Sequence, residues 1–156
     1  MTGMFGSKSK FDEELLQIIG ASNTNRKNLH NTVMIFDARP QMNAAFNKGK
    51  GGGYEDCGPG TNYPNCKFKF CDIDNIHAVR KSFEQVYALA YSTNMGGRSQ
   101  SAALMQAIDS SKYMVHVSRI LVATNDMVRS MTHDCENVIV HCSDGWDRTS
   151  QMAALA

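Results

Sequence analysis

The stretch 138–154 (VIVHCSDGWDRTSQMAA) constrains this chain more than any other. Residues 138–141 suit a short buried strand, a tight turn containing Gly145 follows, and the chain from Asp147 onwards reads as helix. A strand–loop–helix unit aims consecutive backbone N–H groups, and the positive end of the helix dipole, at one point. The result is an anion cradle. Its first residue is a thiol, Cys142, and Arg148 stands six positions later.

The rest of the sequence predicts strands alternating with helices, hence an α/β layered domain. Residues 11–19 (FDEELLQII) read as a helix capped by Ser9, and 20–31 as a polar loop. Residues 33–36 suit a buried strand, and Pro40 fits the first position of a helix running towards Asn47. The glycine density of KGKGGG at 48–53 predicts a loop, and 56–65 continues irregularly. Residues 67–70 alternate basic and aromatic side chains, the period of a strand with one buried face. Helices are expected over 78–91 and 99–108, then a longer one capped by Ser110 or Ser111. The stripes Val79, Phe83, Val86, Ala90 and Met114, Val117, Leu121 predict core contacts.

Composition narrows the function. A chain of 156 residues with 42% hydrophobic content can bury the core of one domain, which excludes full disorder. No apolar run approaches the roughly 18 residues of a membrane-spanning helix, and 1–10 lacks the apolar core of a signal peptide. With 16 Lys+Arg against 15 Asp+Glu, general nucleic-acid binding is not expected, although a local basic pocket is compatible with that balance. Five cysteines, an odd number with no Cys-x-x-Cys pair, favour reduced thiols over a disulfide framework. The histidines complete no zinc spacing, so neither a metal nor another cofactor is expected.

The chemistry expected of the cradle is specific. A bound phosphate dianion needs several N–H donors and a cation, and Arg148 supplies a planar two-pronged contact. The same positive surroundings favour the Cys142 thiolate, a nucleophile towards phosphorus. Thr149 can hydrogen-bond the sulfur and stabilise it as a leaving group. Asp147 and Asp144 lie where an acid is needed to protonate a departing alkoxide. His141 suits holding loop carbonyls better than acting as a base. The plainer alternatives are a buried small hydrophobe for Cys142, a helix cap for Asp147 and solvated loop cations for Lys48 and Lys50.

The nonapeptide HCSDGWDRT at 141–149 resembles the signature loop of the myotubularin family, phosphoinositide phosphatases with a protein-tyrosine-phosphatase-like fold. Its Ser-Asp-Gly-Trp-Asp interior differs from the Cys-Ser-Ala-Gly type of conventional tyrosine phosphatases. Residues 36–40 (FDARP) with Asn43, 47–55 (NKGKGGGYE) and 72–77 (DIDNIH) resemble three further blocks of that family in the same order. Asp74 departs from the family's usual His and reads as a neutral surface change. Tyr113 replaces a common Trp.

The resemblance implies an α/β fragment of a tyrosine-phosphatase-like domain, with a central sheet flanked by helices and a strand–loop–helix phosphate cradle. Residues 1–156 would be a partial domain ending just after the signature loop, poorly stable and weakly active or inactive alone. Cys142 would be the nucleophile and Arg148 the phosphate clamp, with Asp147 as acid, Asp144 contacting the ring or assisting, and Thr149 on the sulfur. The headgroup would be held by Asn47, Lys48, Gly49, Lys50, Asn75 and Ile76, together with Ser143, Asp144, Gly145, Trp146, Asp147 and Arg148. The implied reaction is removal of the 3-phosphate from phosphatidylinositol 3-phosphate, and from the 3,5-bisphosphate, through a phosphocysteine without metal. Partners would be an anionic headgroup at an endosomal membrane surface and related myotubularin-like chains in an oligomer, with the protein otherwise cytoplasmic. Two alternatives stand beside this reading: a non-catalytic phosphoinositide-binding or scaffold piece, and a protein tyrosine or dual-specificity phosphatase.

Overall fold

The computed structural model describes residues 9–25, 31–48, 52–92 and 98–156. Its elements run α1 (Lys10–Ala21), β1 (Val33–Asp37), α2 (Gln41–Lys48), β2 (Cys66–Phe70), α3 (Ile76–Ser92), α4 (Arg98–Ser111), α5 (Tyr113–Thr132), β3 (Asn137–His141) and α6 (Arg148–Leu155). The three strands form one parallel sheet in the order β2-β1-β3. Asp37 at the end of β1 pairs with Phe70 on one side and His141 on the other, so all three strands end level.

Alternation along β1 divides the core between the two faces of the sheet. Val33 and Ile35 pack with Tyr63 and Cys66, and Leu16 and Ile19 of α1 close that face. Phe36 points the other way, into a cluster with Ala123 and Met127 of α5 and Met152 of α6. Full burial of a side chain such as Met152 contributes about 1.5–3 kcal/mol before entropy is counted. The α6 helix is thereby fastened to the sheet immediately behind the loop that begins at Cys142.

Local chemistry sets the helix ends. Ser9 accepts the Asp12 N–H at 3.3 Å, and α1 continues through Gly20 to Ala21, beyond the expected stop at 19. A Cβ at Gly20 would come within 2.2 Å of the Asn31 carbonyl oxygen, so this close approach requires glycine. The Pro40 carbonyl accepts the Asn43 and Ala44 N–H groups and starts α2. Lys48, expected in a loop, closes that helix, while 49–51 lie outside the described residues. Ser111 Oγ accepts the Tyr113 N–H at 3.1 Å, but the residue at the α5 cap is Lys112, in the left-handed region at φ 63°.

The apolar stripes of α3 and α5 do not form the core. In α5 the buried positions are His116, Ala123, Thr124, Met127 and Ser130, a helical series offset by two residues from the expected one. Two residues are about 200° on a helix, so Met114 and Leu121 point outward, 58% and 54% exposed. Ala123 and Met127 are the α5 residues that pack into the cluster on the sheet. In α3, Phe83 is exposed and stacks on Tyr87 and Tyr113, while Ser82 is the buried residue.

Candidate active site

Level strand ends put three loops side by side, and backbone bonds stitch them together. Ala38 donates to the His141 carbonyl at 2.8 Å, Cys71 to Asp37 at 2.8 Å, and Ile73 to Ala38 at 3.0 Å. In open parallel sheets this carboxyl edge is where ligands bind. The segment from Cys142 to Asp147 leaves β3 at this edge and leads into α6.

The loop turns its N–H groups inward. The Gly145 N–H meets the Cys142 sulfur at 3.2 Å, in a turn that needs Gly145 at φ 83°. Burial pushes the Cys142 thiol up, but the Thr149 hydroxyl and the N–H groups of Thr149, Gly145 and Asp144 outweigh it and hold the thiol below its ordinary range. Thr149 Oγ1 is buried with no regular hydrogen-bond partner among the described residues, leaving the sulfur as the group it serves. Asp147 caps α6 by accepting the Arg148 N–H, and its carboxylate lies 3.6 Å from the sulfur. Burial would raise the Asp147 carboxyl, yet the Arg148 N–H and guanidinium, the thiol and the Ile76 N–H keep it low.

Arg148 is 6% exposed. Its Nη2 donates to Ser143 Oγ at 3.1 Å, its Nε lies 3.5 Å from Asp147 Oδ1, and that Nε makes no hydrogen bond among the described residues. The guanidinium thus keeps donor capacity at the loop. Ser143 and Arg148 line an open pocket of about 320 Å³ with Asn47 and Asn75, and also with Asn43 and Phe46. The larger hollow between α3 and α5, about 530 Å³, contains Lys81 and Lys112 but no thiol. Chemistry favours the smaller one.

Four of the expected headgroup residues, from three separate stretches of the chain, therefore share one pocket. Asp144 and Trp146 are exposed on the loop, and Ile76 contributes through its N–H. Gly49, Lys50 and the Lys48 side chain lie outside the described residues. Asn75 caps α3 by accepting the Ala78 N–H at 3.1 Å. Asp74 is no neutral change. It pairs with Arg119 at 2.9 Å and lies 3.3 Å from His116 Nδ1, and Arg119 also reaches Asp72 at 3.2 Å, which ties the loop before Asn75 to α5.

A supporting layer was missed from sequence. Asp37, fully buried at the end of β1, holds Arg39 through both carboxylate oxygens, at 2.6–3.1 Å. Arg39 also donates to the Gly53 carbonyl at 2.7 Å, tying the glycine-rich segment to the sheet. Beside them, His141 lies between two pure acceptors: Nδ1 is 3.2 Å from the Cys142 carbonyl oxygen and Nε2 is 3.1 Å from Glu55. Burial disfavours a second proton on the ring, but Glu55 outweighs it and holds His141 above its ordinary range, which favours a ring that donates from both nitrogens. An acid two residues from an Arg at a strand end was the available signal for the first pair. Glu55 and His141 lie too far apart in sequence to give one. Among the described residues no group of three His, Cys, Asp or Glu side chains could hold a metal ion, and no helix is long and apolar enough to cross a membrane.

A sequence model of the myotubularin-like phosphatase domain matches residues 1–156. Over all 156 residues the chain is 40% identical to phosphatidylinositol-3,5-bisphosphate 3-phosphatase mtm-1 of Caenorhabditis elegans, covering 24% of that protein. It is 35% identical to myotubularin of Xenopus laevis, again over 24% of the relative. Identity to phosphatidylinositol-3,5-bisphosphate 3-phosphatase MTMR2 of Mus musculus is 37%, over 22% of its length. The chain thus spans about a quarter of the length of these relatives. On the strength of the domain match and these identities, it belongs to the myotubularin-like phosphatase family.

Proposed function

We propose that this chain carries the phosphate-transfer centre of a phosphoinositide 3-phosphatase working through a phosphocysteine intermediate. The observation that carries the reading is the inward turn of the loop N–H groups onto the Cys142 sulfur. The thiolate attacks the phosphorus of a 3-phosphate, the bond to the inositol oxygen breaks, and a water later attacks the phosphocysteine to release inorganic phosphate. Arg148 and the loop N–H groups hold the transferred oxygens, and Thr149 steadies the departing sulfur in the second step. Asn47 and Asn75 face the ring of an anionic headgroup at a membrane surface, such as that of an endosome, and the family resemblance assigns Lys48 and Lys50 to the same headgroup.

The inositol oxygen needs a proton as it leaves. Asp147 is the proposed donor, with Asp144 assisting at the ring. An incoming dianion draws the Arg148 charge to itself, and its own negative charge raises the Asp147 carboxyl, so occupancy of the loop arms the acid. The relatives named as 3,5-bisphosphate 3-phosphatases favour that lipid beside the monophosphate. A second reading, headgroup binding without turnover, is favoured by one observation: Asp147 is engaged as a helix cap with its carboxyl held low.

Phosphate release from short-chain phosphatidylinositol 3-phosphate, compared between the chain and its Cys142→Ser variant, tests the first reading. Release is expected from the former alone, and its rate should rise with pH below the ordinary thiol value. Equal release from both proteins would overturn the phosphocysteine, and headgroup binding without release from either would support the second reading.

A further inference from the structure

Two cysteines outside the loop converge on one point. Cys57 forms a β-bridge with Tyr63, and the Tyr63 carbonyl accepts N–H groups from both Gly58 and Cys66, each at 3.1 Å. The turn between them thus returns the chain to where it left. Both cysteines pack in the apolar cluster of Val33, Ile35 and Tyr63. Each thiol acts on the other, which lowers the Cys66 thiol and, together with burial, pushes the Cys57 thiol up, and Cys66 Sγ also lies 3.8 Å from Asn65 Oδ1. A single buried cysteine is ordinarily inert. Here a partner sulfur is at hand, and Cys66 borders an open hollow of about 530 Å³ with Gly58, Pro59, Pro64 and Asn65, wide enough for a small oxidant.

We propose that Cys57 and Cys66 are a redox-active dithiol, oxidised by a peroxide to an intramolecular disulfide that locks the 58–65 turn onto the start of β2. The Cys66 thiolate attacks a peroxide oxygen: an S–O bond forms, the O–O bond breaks, and the departing hydroxide leaves as water after taking a proton. The Cys57 sulfur then attacks the sulfenic acid, forming the S–S bond and breaking the S–O bond, while its proton leaves with the hydroxyl group as a second water. The two thiols together lose two electrons, and the peroxide gains them. Glu55, two residues before Cys57, pairs with the histidine that holds the Cys142 carbonyl, so the dithiol lies one ion pair from the loop.

The readout is thiol chemistry and does not depend on turnover. The full chain carrying Cys142→Ser, which removes the competing low-pKa thiol, is treated with hydrogen peroxide, alkylated and mapped by mass spectrometry. Expected is a peptide pair joined through Cys57 and Cys66, two hydrogens lighter than the dithiol, with alkylation at both positions lost and then restored by dithiothreitol. Cys71 and Cys135 should remain alkylated. Cys57→Ala, or the closer-sized Cys57→Ser, should abolish the link and leave Cys66 trappable as a sulfenic acid, with an unchanged far-UV circular dichroism spectrum showing that the fold is intact. Links scattered among Cys71, Cys135 or separate chains would overturn the assignment. So would full alkylation of Cys57 and Cys66 once another thiol has been oxidised.

Discussion

The carboxyl edge of the sheet and the outward side of the α3–α5 layer invert the usual placement of residues. At the edge, Asp37, Arg39, Asp147 and Arg148 are buried charges, each met by a partner. On the helices, Tyr87, Tyr91, Met114, Leu121 and Val122 are at least half exposed, and the rings from Phe83 to Tyr91 stack mainly on one another. A charge goes inside when its partner goes with it, whereas an apolar stripe is covered only where another element lies against it.

The inversion has measurable consequences, of which the largest concerns the buried charges. Arg39→Met removes the guanidinium from the buried Asp37 side chain, leaving it the backbone N–H of residue 39, and should cost about 3–5 kcal/mol in urea unfolding. Arg119→Met, which releases a half-exposed pair, should cost no more than about 1 kcal/mol. Equal costs would mean that the Asp37–Arg39 pair is not the desolvated one. On the apolar side, Met127→Ala should cost about 2–5 kcal/mol and Leu121→Ala about 0.5 kcal/mol or less, although sequence pattern alone assigns Leu121 to the core. A costly Leu121→Ala would place the stripe inside after all.

The smallest effect is a signed one. Burial raises the Glu55 carboxyl, but His141 outweighs it and holds the group below its ordinary 4.5. That contribution is present above 4.5 and lost as pH falls through the folded value. Burial lowers His141, but Glu55 holds it above its ordinary 6.5, so its contribution is complete below 6.5 and lost as pH rises through the folded value. The stability lost in Glu55→Gln should therefore peak between about pH 5 and 6 and shrink on both sides. A loss that stays flat from about pH 4 to 8 would exclude a charged pair.

The same contrast explains what could be read from sequence. Two short apolar runs and the basic–aromatic alternation at 67–70 located all three strands to within a residue, and Ser9 and Pro40 marked two helix starts, because those signals are local. The buried side of α5 escaped notice, since polar residues such as His116, Thr124 and Ser130 do not look like core until the fold closes over them. Periodicity chose the stripe richest in apolar residues, and that stripe faces outward. Cys142 and Arg148 were legible from a single loop. Asn47 and Asn75 came from family resemblance, since no spacing rule brings them to Ser143. Asp37 with Arg39, and Glu55 with His141, act through partners that only the folded chain supplies. Asp74 was misread because its partner, Arg119, is far away in sequence.

Trp146 is the chain's one tryptophan, and it stands 63% exposed at the lip of the Cys142 loop. An indole already surrounded by water changes its emission little when a protein denatures. Tryptophan fluorescence will therefore be nearly blind to unfolding of the sheet, and melting curves for this chain call for circular dichroism. By the same placement, the signal has no background from elsewhere in the chain. A headgroup settling against the loop would report itself through an optical label that the sequence already supplies.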